Sequence, residues 1–333
     1  MIYNILDNER VRGGILIVLL CSLLWFYPFF LDDFQINYSF SVTKLDAFFN
    51  WFGEEYRLLS SFLSFVTCLV ISFSISTLLI KNLIVSQRTH IPAYIAMLTF
   101  CSLSHLTYFN SSHIILLLLI ALIHIIFSTY KVPNVLSKIF VVGVITGIIS
   151  TLDFGLSFLL LAVLLSLMSV RTLSLRELLV TLFGFLTPIY FIFSFLLIFS
   201  GDYLGFLNNL IQNSFSLDII SKGIDFSLEN TSIFFMAILA VISYTNILLF
   251  KPVNKIKQSK FGVLTSVIFI CFLLMFAFHT DIRIISYIAL PSVIIVSVQA
   301  LNIKKEKHIS VFLYVYLFAI VFSKAYPFII QYV

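Results

Sequence analysis

Long apolar runs separated by short polar breaks make up nearly the whole chain. Inside the runs the apolar residues are continuous rather than alternating, which predicts helices and not half-buried strands. The runs fall near residues 12–31, 58–80, 91–108, 113–130, 138–152, 154–170, 178–200, 232–250, 261–279, 284–301 and 309–330. A helix that crosses a bilayer needs about 20 mostly apolar residues. In hydrocarbon its backbone groups must also be paired within the segment. Residues 138–170 are ambiguous, because Asp153 and Gly155 divide two short runs. They form either a tight hairpin of two spans or one broken element. The predicted fold is all-α: a polytopic transmembrane helical bundle of about 11 spans, forming a single domain over residues 1–333.

Composition agrees with the pattern. The chain is 61% hydrophobic and 11% charged, with mean hydropathy +1.10. Soluble domains are roughly half apolar and about a quarter charged. So much apolar surface excludes a single water-facing globule and makes lipid the solvent for much of the chain. Cys21, Cys68, Cys101 and Cys271 all fall in apolar runs without CxxC spacing and read as small core residues. No small-residue cleavage site follows the first run, and Leu20 before Cys21 is too large for a lipoprotein site. The first run therefore reads as a retained span.

Charge sets the expected orientation. With eleven spans, 15 of the 20 Lys and Arg residues fall on the side of the N-terminus, in short loops such as 81–90, 131–138, 171–177 and 251–260. That bias predicts a cytoplasmic N-terminus and a multi-pass protein of the inner membrane. Acids run the other way: only Asp7, Glu9, Glu177 and Glu306, 4 of 15, lie on the basic side. The ionisable chemistry is thus expected on the outer face.

Two outer loops are long, residues 31–57 and 201–230. In the first, Leu45 to Phe52 is rich in aromatics and reads as a short helix lying in the interface, with Phe48, Phe49, Trp51 and Phe52 on acyl chains. No phosphate-binding glycine loop or nucleic-acid module occurs, and the basic loops are the ordinary topological signal.

Candidate chemistry gathers at the outer ends. Asp32 and Asp33 stand where the first span leaves the membrane, a pair suited to general base work or to holding a divalent cation. His279, Asp281 and Arg283 share the tight turn FHTDIR. Arg283 runs against the charge bias and suits a phosphate, with Asp281 as the ordinary ion-pair alternative. Arg57 closes the first loop after Glu54 and Glu55. Lys324, His105 and His124 lie within apolar runs, where snorkelling and interhelical hydrogen bonds account for them. Sequons at Asn37, Asn110 and Asn230 are short motifs of low weight.

Two resemblances add to this reading. Residues 57–205, with IPAYIAMLTFCSLSHLTYFNSSHIILLLLIALIHIIFSTYK, VVGVITGIISTLDFG and LRELLVTLFGFLTPIYF, resemble a family of multi-span inner-membrane proteins of Bacteroidota. The layout is also similar to the GT-C glycosyltransferases, in LDDF after the first span, Gly143 and Gly147 in VVGVITG, and Arg283, Tyr287 and Pro291 in RIISYIALP. That resemblance implies Asp32 or Asp33 as base or metal ligand and Arg283 as holder of a lipid phosphate. His279, Asp281 and Arg57 are further candidates for binding the phosphate or lipid, from their position in the sequence. The chain departs from the pattern in FNSS, where those enzymes carry a second acidic site.

Three functions are open at this level. One is transfer of a sugar from a polyprenyl-phosphate donor at the outer face. Another is a non-catalytic membrane subunit of an envelope secretion or glycan-export complex, with protein partners. A transporter or flippase is the third. Membrane lipid is a partner in all three, and nucleic acid in none.

Overall fold

The computed structural model describes residues 11–26, 44–82, 84, 89–199, 238–242, 256–276, 283–302 and 306–331. Its helices are α1 (Val11–Phe26), α2 (Lys44–Glu55), α3 (Arg57–Lys81), α4 (Ile91–Ser102), α5 (Ser111–Ser128), α6 (Leu136–Leu152), α7 (Leu159–Val170), α8 (Leu175–Phe199), α9 (Ile256–Phe276), α10 (Ile284–Asn302) and α11 (Glu306–Gln331). Among the described residues there is no strand. Among the described residues, five helical stretches are long and apolar enough to cross a membrane: Arg57–Lys81, Ser111–Ser128, Leu175–Phe195, Gln258–Phe276 and Ile284–Leu301. Shorter apolar helices stand beside them. The chain is therefore an all-helical protein with the composition of a membrane protein. Most of the expected run 232–250 and the whole loop 201–230 lie outside the described residues.

The most buried helices are the ones apolar on every side. All residues of α4 are buried, and 89% of the apolar stretch of α10 is. A helix that is hydrophobic all round belongs inside a bundle. Here α4 and α10 touch each other, with α1, α3 and α11 packed on α4 and α5 and α9 on α10. Polar atoms on these inner helices find partners across the bundle. The Thr99 Oγ1 of α4 lies 2.7 Å from the Tyr316 hydroxyl of α11. The Ala93 N–H, in the first turn of α4, donates to Ser76 Oγ of α3 at 3.0 Å. All four cysteines are free thiols.

Residues 136–170 form two helices, not one broken element. The α6 helix ends at Asp153, whose carboxylate accepts from the Gly155 N–H at 3.1 Å and starts a 3-10 turn over Phe154–Phe158. Arg171, just past α7, reaches back 3.4 Å to the Val132 carbonyl ahead of α6. The chain thus returns to the end from which it set out.

The α6–α8 contact depends on missing side chains. A Cβ on Gly143 would lie 2.3 Å from the Thr181 carbonyl oxygen, and one on Gly147 2.4 Å from that of Phe185. Gly184 faces the Phe140 carbonyl in the same way at 2.5 Å. Lipid removes the hydrophobic drive between helices, so close backbone approach through small residues supplies the association. The VVGVITG motif accordingly builds a helix interface. On its other sides α8 is open, with only 11% of its apolar stretch buried.

The two ends of the bundle differ in charge. One end gathers Lys81, Lys131, Lys138, Arg171, Arg176 and Lys260. There Lys138 Nζ donates to the Ser128 carbonyl at 3.2 Å and Lys260 Nζ to that of Ser169 at 2.6 Å. Glu177 pairs with Arg171 at 2.7 Å and caps the start of α8 by accepting from the Ser174 N–H. The opposite end carries Asp46, Glu54, Glu55 and Asp153, together with Arg57 and Arg283.

Candidate functional site

The polar end is organised around α2. Its positions 46, 49, 50 and 53 recur at helical spacing and turn inward: Asp46 and Gly53 are buried, Phe49 and Asn50 half-buried. Phe48 and Trp51 point away and are 56% and 53% exposed. The short helix expected near Leu45 to Phe52 is present as Lys44–Glu55, lying against α3 and α5, but Phe49, expected on the outer face with Phe48 and Trp51, turns inward against Phe109.

Arg283 stands one residue before α10 and is only 2% exposed. Its Nη1 lies 2.9 Å from Asp46 Oδ1 and donates at 2.7 Å to Ser111 Oγ, at the first residue of α5. The Ser111 hydroxyl in turn donates to Asp46 Oδ1 at 2.6 Å. Arginine, carboxylate and hydroxyl therefore close a triangle that joins α2, α5 and α10. A bare guanidinium in such surroundings is strongly unfavourable, so the carboxylate is what permits its burial. Tyr287, one turn further along α10, donates to Ser112 Oγ at 3.4 Å.

A second polar group adjoins the first. Asn110 caps α5, accepting from the Ser112 N–H at 3.1 Å. His113 Nε2 lies 2.6 Å from Ser64 Oγ, and the Ser64 hydroxyl makes a short hydrogen bond to the Leu106 carbonyl. The order Ser64, His113, Asn110 has the outline of a nucleophile, a base and an orienting amide. Proton placement argues against that chemistry. The Ser64 proton is committed to Leu106, so Nε2–H donates to Ser64 Oγ, and Nδ1 accepts the Asn110 N–H at 3.2 Å. The other tautomer would aim Nδ1–H at Asn110 Oδ1, 3.0 Å away, and leave Nε2 competing with Leu106 for a single hydroxyl proton. We assign this group to tying α3 to the start of α5. Phe109 stacks on His113 at 5.3 Å and meets Phe49 edge-on at 5.3 Å, which links the group to α2.

Of the residues singled out by sequence, Arg283 is central. Arg57 is exposed at the start of α3 and takes no part in the triangle. Asp32, Asp33, His279 and Asp281 lie outside the described residues. Among the described residues no group of three or more His, Cys, Asp and Glu side chains comes together as a metal site. Asp46, Ser111 and Ser112 were not singled out, and the partner considered for Arg283 was Asp281. The signal for Asp46 was present in α2: an acid on the helical face opposite Phe48 and Trp51. Asn110, read as a sequon, spends its side chain on the helix cap.

Fold and site together define a helical membrane protein with a buried arginine–carboxylate pair at one end of its bundle. No protein-family model, no curated protein and no solved structure matches the chain.

Proposed function

We propose that the chain crosses the inner membrane about eleven times with its N-terminus in the cytoplasm, and that it transfers a sugar from a polyprenyl-phosphate donor at the outer face in the manner of a GT-C glycosyltransferase. The observation that carries this reading is Arg283. It is a buried cation at the end that carries Asp46, Glu54, Glu55 and Asp153, and ionisable groups placed in a membrane domain generally serve function. Beside it lies an aromatic-rich helix suited to the headgroup region, where a lipid-borne donor would arrive. In this scheme Asp32 or Asp33 takes the proton of the acceptor hydroxyl as its oxygen bonds to the anomeric carbon. The bond from that carbon to the phosphate oxygen breaks, and Arg283 stabilises the charge left on the lipid phosphate. Arg57, His279 and Asp281 would help to hold that phosphate, and a divalent cation on the acidic pair would neutralise phosphate charge.

The closure of the Arg283 triangle favours a second reading, because a paired arginine is also a structural clamp. Under it the chain is a non-catalytic membrane subunit of an envelope complex. The test replaces Asp32 and Asp33 together by Asn and compares lipid-linked and protein-linked glycans, with the protein level checked by blot. Loss of one defined glycan at unchanged protein level supports the transferase. Unchanged glycans in both this variant and a full deletion refute it.

A further inference from the structure

We infer that Lys81, His124 and Lys138 form a seat for the phosphate of an anionic membrane phospholipid at the basic end of the bundle, with an acyl chain lying along α5. The seat is independent of the transferase reading, which concerns the opposite end. Three helices supply it. Lys81 is the last residue of α3, Lys138 lies in the first turn of α6, and His124 is on α5, which touches both. Lys138 is held in place, its Nζ donating to the Ser128 carbonyl at 3.2 Å. Ser128 stands one turn beyond His124 on the same face of α5. Both lysines are close enough to His124 to act on it electrostatically.

Each placement is unfavourable without an anion. The two ammonium groups repel each other across His124. Lys138 occupies the first turn of a helix, where the macrodipole disfavours a cation. His124 is half-buried within an apolar helix, where an ionisable side chain is expected to have a partner or a function. Sequence predicts an interhelical hydrogen bond for it, and among the described residues it makes none. A phosphate relieves all three at once. Its oxygens accept from the lysine ammonium groups and from an imidazole N–H, and its charge offsets theirs. Glu177, an acid at this end, is already committed to Arg171 at 2.7 Å and to the Ser174 N–H.

The surface that continues from the cations fits a lipid better than a free phosphate. On α3, Val70 and Thr77 lead to Lys81 at helical spacing and are exposed, with the Thr77 hydroxyl turned back onto the Ser74 carbonyl. On α5, Leu117 and Ala121 lead to His124 and are half-buried. On α6, Val141 and Ile148 follow Lys138 and are exposed. A charged seat continued by an apolar strip has the polarity of a phospholipid, headgroup at the end of the bundle and chain along its side. Basic pockets between membrane helices hold anionic headgroups in this way. Lys260 belongs to a different seam, since it donates to the Ser169 carbonyl near the end of α7 and its helix α9 packs on α7 and α10.

Native mass spectrometry of the full chain in detergent counts the lipids it holds. Dioleoylphosphatidylglycerol should fill one saturable site ahead of any further lipid. Dioleoylphosphatidylcholine, with the same chains and no net charge, should not fill it. Lys81→Gln and Lys138→Gln should each weaken the first phosphatidylglycerol about fivefold, and the two together about 25-fold. His124→Leu should weaken it as well, through the lost N–H donor. Lys81→Arg and Lys138→Arg should retain binding, which separates lost charge from lost fold, and Lys260→Gln should change it by less than about twofold. Equal binding of the two lipids overturns the seat. So does unchanged affinity in the double variant, or an equal loss in Lys260→Gln. Inorganic phosphate that displaces the lipid at the lipid's own concentration also overturns it, because the apolar strip would then contribute nothing.

Discussion

The Arg283–Asp46 pair makes a sharp energetic prediction. Both side chains are under a tenth exposed, at 3% and 6%, and the Ser111 hydroxyl closes the triangle. Replacing Arg283 by Met leaves a buried carboxylate with its strongest donor removed. Breaking a buried pair in this way costs about 3–5 kcal/mol. Asp46→Leu should cost a similar amount, since it takes the carboxylate away from the buried guanidinium. Replacing both at once removes both charges and fills the space with apolar atoms. The double variant should therefore return to within about 1 kcal/mol of the parent. The coupling energy of the cycle is then several kcal/mol, well above the roughly 0.6 kcal/mol typical of neutral hydrogen bonds between membrane helices. Unfolding of the purified protein in mixed micelles, followed by SDS titration, measures all four corners of the cycle. If each single substitution costs under about 1 kcal/mol and the two simply add, the pair is solvated and the argument from burial is wrong.

Three further predictions follow from other parts of the structure. Gly147→Leu forces a side chain into the Phe185 carbonyl and Pro188, so α6 and α8 should separate at a cost of about 1–3 kcal/mol, read by thermal melting in detergent. Asn110→Ala removes the cap of α5 and should lower stability by about 1 kcal/mol in the same measurement, with no change in electrophoretic mobility, since the side chain serves the cap and not a glycan. Cysteines placed singly at Lys138 and Glu54 lie at opposite ends of the bundle and should label with an impermeant maleimide from opposite faces of the membrane; labelling from one face would contradict the assignment of the two ends.

Sequence made the helices legible because each is specified locally. A continuous apolar run states its own helical character and its need for burial or lipid. The aromatic helix near Phe48 and Trp51 was visible for the same reason, and the break at Asp153 was visible because Asp and Gly interrupt the run. What sequence left ambiguous there was direction, which depends on Arg171 reaching Val132 across 39 positions. The partner of Arg283 was hidden more deeply. Asp281 is two residues away and so was the natural choice, whereas Asp46 is separated by 237. Nothing local to Asp46 names its partner; only the packing of α2 against α5, and of α5 against α10, brings the two together. Ser111 and Ser112 were lost for a related reason, since two serines at a helix start read first as caps.

That long separation governs how the protein must be made. At about 5–20 residues per second, a ribosome completes the 237 residues after Asp46 in roughly ten to fifty seconds. Through that interval Arg283 is not there for the carboxylate to meet. The aromatic face of α2 offers it a place to wait, since Phe48 and Trp51 can anchor the helix at the headgroups while Asp46 stays hydrated. Arrival of α10 then draws the acid inward and seals the end of the bundle. Closure of the Asp46–Arg283 pair is thus among the last events in the assembly of the chain, and a nascent protein stopped short of residue 283 would have α2 against α3 and α5 with this end of the bundle not yet locked.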